Sequence, residues 1–125
     1  TTTEAVSMNE PVGEIDVPYF SSWADVDRDL TAWLGNEMQR EAFDAIRKLE
    51  HSIKAFGNKV ITDSWRKLMT SDHFYYMCTK WFADGDIHKY FNDYNNPYDA
   101  FTNFMNIVMD LRERVKETQL MEQPL

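Results

Sequence analysis

A carboxylate and an imidazole stand side by side at Asp72-His73, at the head of the run Phe74-Tyr75-Tyr76-Met77-Cys78-Thr79-Lys80-Trp81-Phe82. A carboxylate accepts hydrogens from hydroxyl groups, and a neutral imidazole donates from one ring nitrogen while accepting at the other. Tyr75, Tyr76 and Trp81 add flat faces, each with a polar handle, of the kind on which sugar rings stack. These residue types suit a hydroxyl-rich ligand. Helix capping and core hydrogen bonding use the same Asp and His, and core packing uses the same rings, so the residues alone leave both uses open.

Other candidate chemistry is weaker. Asp84-Gly85-Asp86-Ile87-His88 resembles part of a cation loop but lacks the glycine at the sixth position and the closing glutamate of an EF-hand, so no metal is expected. Cys78 as a nucleophile needs a base beside it, and His73, five residues away, falls on another helix face. Four glycines form no phosphate-cradling loop. His51 reads as a helix surface position and His88 as a loop residue.

The elements that must position these groups follow from the apolar period. Thr1 to Tyr19 is polar, holds Pro11, Gly13 and Pro18, and shows no helical period. It is expected to run extended over the surface as a linker from a preceding domain. Ser22 and Asp25 have capping-box-like spacing, so a helix is expected from near Trp23, carrying Val26, Leu30, Trp33 and Leu34 and ending at a left-handed Gly35-Asn36. Met38, Ala42, Ala45, Ile46, Leu49, Ile53 and Phe56 repeat at three and four, which predicts a second helix over 37–56 closed by Gly57. Ile61, Trp65 and Leu68 continue at that period toward Asp72, Tyr75, Thr79 and Phe82. One helix over 59–83 would put Asp72 on the apolar stripe, where an ionised carboxylate costs several kcal/mol unless it is paired. Thr70-Ser71 capping a new helix would put Asp72 in an inexpensive first turn. Asn96-Pro97 opens a last helix with the stripe Phe101, Phe104, Met105, Val108, Leu111 and Val115. There is no sustained alternation of period two, so no strands are assigned. The fold class is all-α, an antiparallel bundle of four or five helices over 20–125.

At 125 residues the chain holds one domain. Its 43% hydrophobic and 14% aromatic content argues against disorder, and no apolar run reaches the roughly 18 residues of a membrane span. A formal charge of −8 opposes binding to a phosphate backbone, so neither nucleic acid nor membrane is an expected partner. One cysteine forms no intrachain disulfide, which fits the cytoplasm.

Three stretches taken together carry a family resemblance. They are Ser22-Trp23-Ala24-Asp25-Val26-Asp27-Arg28-Asp29-Leu30-Thr31-Ala32-Trp33-Leu34-Gly35-Asn36, the run from Thr70 to Phe82, and Asp84-Gly85-Asp86-Ile87-His88-Lys89-Tyr90-Phe91 through Pro97-Tyr98-Asp99-Ala100-Phe101. In this order, over about residues 16 to 112, the chain resembles the helical region that follows the catalytic barrel in α-amylase-type enzymes of glycoside hydrolase family 57. The resemblance implies a parent that cleaves or transfers α-1,4-glucan with retention, by a Glu and an Asp on barrel strands N-terminal to this region. No catalytic residue is therefore assigned here and no cofactor is implied. It further implies that this region packs on the barrel and lines one wall of the substrate cleft, with Asp72, His73, Tyr75 and Tyr76 facing substrate and Trp23 and Asp25 near the junction with the barrel. A start at Thr1 without Met agrees with a piece of a longer protein. The alternative, from a different class, is a free-standing helical module whose aromatic groove binds a protein partner's helix.

A helix that is apolar all round needs packing partners on several faces. The 74–82 run is therefore expected to expose an aromatic patch when the chain is alone, or to hide it by dimerising or by folding residues 1–19 across it.

Overall fold

The computed structural model describes residues 1–23, 27–80 and 92–121. Their regular elements are α1 (Thr2–Met8), α2 (Thr31–Leu34), α3 (Glu37–Lys48), α4 (Glu50–Phe56), α5 (Lys59–Leu68), α6 (Ser71–Tyr75) and α7 (Pro97–Met121). No strand occurs among the described residues, so the chain is all-α there. The expected four or five helices appear as seven shorter segments.

The apolar stripes read from the sequence face one core. Ala42, Ile46, Leu49 and Ile53 from α3 and α4 meet Ile61, Trp65 and Leu68 from α5, and Ala100, Phe104, Val108, Leu111 and Val115 from α7 close the cluster. α7 packs against α3, α4 and α5, and α6 packs against α2 and α3. Burying a side chain of this size contributes about 1.5–3 kcal/mol, so this cluster, and not the exposed ion pairs, holds the helices together.

The expected 37–56 helix is interrupted at Leu49. There the Ile46 carbonyl accepts from the Leu49 amide at 3.3 Å and from the buried Trp65 indole Nε1–H at 3.0 Å. A chain-distant donor has taken an acceptor that a continuous helix would have used. Gly57 closes α4 at φ +70, as its place after the stripe implied. Asn96 opens α7 by accepting the Asp99 amide at 2.9 Å, with Pro97 at the first helical position.

Three expectations are corrected. Residues 2–8 are helical, not extended: Thr1 and Glu4 form a capping box that starts a turn although no side chain of α1 is buried. No helix begins near Trp23. The Ser22 amide bonds instead to the Arg28 carbonyl at 2.9 Å, Arg28 sits at φ 55, and α2 begins only at Thr31, whose amide bonds Asp29 Oδ1 at 2.8 Å. A local Asx-type turn has outcompeted the Ser22 cap. Val26 and Asp25 lie outside the described residues. Finally, Gly35 is right-handed at φ −79, and Asn36 is not part of a left-handed ending but the N-cap of α3.

Candidate functional site

The sequence left the path through 59–83 undecided, and the backbone breaks at Met69-Thr70. α5 ends at Leu68, Thr70 turns to φ −65, ψ 133, and α6 starts at Ser71. Asp72 is consequently an exposed first-turn residue, where the helix dipole favours an anion. The run that follows is not one greasy helix either. α6 stops at Tyr75 and the chain turns, with the Met77 amide on the Phe74 carbonyl at 3.1 Å and the Cys78 amide on the Tyr75 carbonyl at 3.0 Å. Phe74, Met77 and Cys78 are buried within the chain itself, while Tyr75 and Tyr76 are half-exposed. Trp81, Phe82 and the 84–88 loop lie outside the described residues. Residues 1–21 are exposed throughout and do not cover the run.

A buried amide anchors this corner. Gln39 is 0% exposed, and its Nε2 donates to the carbonyls of Ala32 at 2.7 Å and Phe74 at 2.9 Å. Its Oε1 accepts from the amides of Gly35 at 2.9 Å and Asn36 at 3.0 Å. Both donor hydrogens and the carbonyl oxygen are thus used, as a buried amide requires. The Asn36 side chain caps α3 at the Gln39 amide and donates to the Met77 carbonyl at 2.8 Å. Asn36-x-x-Gln39 is a capping-box spacing visible in the sequence, but its reach across to α6 is not. Lys80 ties the far side of the turn to Asp27 and the Thr31 hydroxyl.

On this scaffold the four α6 candidates point to different neighbours. His73 Nε2 lies 3.2 Å from the Lys67 carbonyl and its ring is 5.6 Å from that of Phe104. A carbonyl only accepts, so Nε2 carries the hydrogen, and His73 staples the α5–α6 corner. Tyr75 meets Trp33 at 6.0 Å between ring centroids. Tyr76 meets Tyr94 at 5.9 Å and 53°. Burial pushes the Tyr76 phenol above its ordinary pKa, and the charges of Asp72 and Asp93, with the neighbouring Tyr94, push it the same way. Asp72, Tyr76, Tyr94 and Asp93 therefore make a tyrosine pair set in a negative field. Tyr94 and Asp93 were missed in the sequence, where residues 92–96 read as a polar loop; the one hint was an aromatic residue inside it.

Trp23 does not join this group. It is 91% exposed, with the Arg28 guanidinium 4.8 Å from its ring centroid. Asp25 lies outside the described residues. Among the described residues no three His, Cys, Asp or Glu side chains are placed to hold a metal, and no helix is long and apolar enough to cross a membrane.

Fold and site together define an all-α chain that presents aromatic rings beside carboxylates. It is 38% identical over 125 residues to a protein of Methanocaldococcus jannaschii described as "Putative alpha-amylase". That match covers 92% of this chain and 27% of the other protein, so the chain spans about a quarter of the length of the curated relative it matches. The relationship is thus amylase-like and confined to one segment of a longer protein. No family model matches the chain, and no solved structure matches it.

Proposed function

We propose that this chain is the C-terminal helical domain of a retaining α-glucan hydrolase of the α-amylase type, in glycoside hydrolase family 57. Its helices form an antiparallel bundle that packs on the catalytic barrel and lines one wall of the substrate cleft. The catalytic Glu and Asp belong to the barrel, so the chain orients glucan and does not cleave it. Asp72 accepts sugar hydroxyl hydrogens, Tyr76 and Tyr75 offer stacking faces, and His73 holds the corner that presents them. Trp23 and Asp25 lie toward the barrel junction. The enzyme is cytoplasmic and needs no cofactor.

The observation that carries this reading is the 38% identity running through 92% of the chain to a protein of that description. The tyrosine pair in reach of Asp72 and Asp93 adds to it, because ring faces beside hydroxyl acceptors are what α-glucan presents a need for.

The test uses the longer polypeptide that contains this sequence and, separately, the 125-residue chain. The longer polypeptide should shorten maltooligosaccharides and release products of retained anomeric configuration, read by proton NMR; the chain alone should release none. Inversion, or cleavage by the purified chain alone, would end this assignment. Light scattering on the chain alone shows whether the half-exposed Tyr75 and Tyr76 lead it to dimerise.

A further inference from the structure

The first 27 residues carry six carboxylates (Glu4, Glu10, Glu14, Asp16, Asp25 and Asp27) and no Lys or Arg. From Glu10 to Ser21 every residue is exposed and none is helical. No residue in that stretch makes a hydrogen bond among the described residues. Large apolar side chains are nonetheless concentrated there, with Ile15 at 90%, Val17 at 65% and Tyr19 at 74% exposure. Bare apolar groups next to unpaired backbone mark a segment made to pair with something else.

The order of residues says how. Over Glu14-Ile15-Asp16-Val17-Pro18-Tyr19 apolar and polar positions alternate, which in a strand sends Ile15, Val17 and Tyr19 to one face and Glu14 and Asp16 to the other. Backbone groups alternate between the two edges in the same way. Pro18 lacks an N–H, so the edge shared by residues 14, 16 and 18 cannot carry a full ladder, whereas the edge of 15, 17 and 19 can. Proline on the outward edge is the arrangement of an edge strand.

We propose that Glu14–Tyr19 adds as an edge strand to an open sheet edge in the domain on which this chain packs, with an apolar sheet face under Ile15, Val17 and Tyr19 and basic side chains beside Glu14 and Asp16. This rests on the function proposed above. A second copy is the poorer partner: the described residues offer no strand, and self-pairing would set carboxylates against carboxylates.

Hydrogen exchange read amide by amide tests it. In the 125-residue chain the amides of residues 14–17 and 19 should exchange at the rate of open chain. In the longer polypeptide those of Ile15, Val17 and Tyr19 should slow by at least about tenfold while Glu14 and Asp16 stay fast. Asp16→Pro should keep this pattern and Val17→Pro should abolish it. No slowing, equal slowing at every amide, or an unchanged pattern in Val17→Pro overturns the strand. Maltooligosaccharide hydrolysis measured on the same preparation separates the two ideas. Cleavage without alternating protection removes the strand alone, and alternating protection without cleavage removes the glucan reading alone. A coding sequence with no sheet-bearing domain next to this chain overturns both.

Discussion

The side-chain amide of Gln39 donates to the backbone carbonyl of Phe74 at 2.9 Å, from a position with 0% exposure. Residues 35 positions apart are thereby locked, and the α6 corner that carries Asp72 and Tyr76 is held to the start of α3. Gln39→Leu would remove four hydrogen bonds and leave carbonyl and amide groups in the interior without partners. Each such loss costs about 1–3 kcal/mol, so the expected destabilisation is at least about 3 kcal/mol in urea unfolding. A change below about 1 kcal/mol would mean that water replaces the side chain and that Gln39 does not hold the corner.

Gly35 and Gly57 should fail for different reasons. A Cβ on Gly35 would lie 2.2 Å from the Thr31 carbonyl oxygen, whereas Gly57 has open space but φ +70. Gly57→Ala should cost about 1–2 kcal/mol, and Gly57→Asn clearly less, because Asn tolerates the left-handed region. At Gly35 both Ala and Asn should cost about 1–3 kcal/mol through crowding. Thermal melts of the four variants check this; an Asn that rescues position 35 would contradict the steric account.

Tyr76 gives an alkaline signature. Its folded pKa is raised, first by burial and then by Asp72, Asp93 and Tyr94, so the folded state keeps a proton that the unfolded chain releases near pH 10. The contribution to stability is therefore fully present below about pH 10 and is lost as pH rises through the folded pKa. Ultraviolet titration should show one phenol ionising late, absent in Tyr76→Phe and moved earlier in Asp72→Asn. An unchanged titration in Asp72→Asn would separate Asp72 from the tyrosine pair.

Asp72 and His73 should part company. Asp72→Ala, at an exposed first-turn position, should change stability by less than about 1 kcal/mol. His73→Ala loses the bond to the Lys67 carbonyl and the contact with Phe104, and should cost about 1–2 kcal/mol in unfolding. In the longer polypeptide both should lower kcat/KM on a short α-glucan, Asp72→Ala by about 1–3 kcal/mol of transition-state stabilisation. Parental kinetics in both variants would make these residues purely structural.

What the amino-acid order determined by itself was helix and core. Ile46, Ile53, Trp65, Phe104 and Leu111 fall at a period near 3.6 and are buried together, and Gly57 and Asn96-Pro97 end and start helices as their side chains dictate, since period and capping are local properties. Only the tertiary structure decided where helices break. The 37–56 pattern is continuous, yet Trp65 takes the Ile46 carbonyl. The 59–83 pattern is continuous as well, yet the chain turns at Thr70, where His73 reaches back to Lys67 and Gln39 holds Phe74. Tyr76 and Tyr94 meet across separate segments, a pairing no spacing announces. A carbonyl or a ring is claimed by whichever partner the fold brings near, and that competition is settled between distant residues, beyond the reach of any local period.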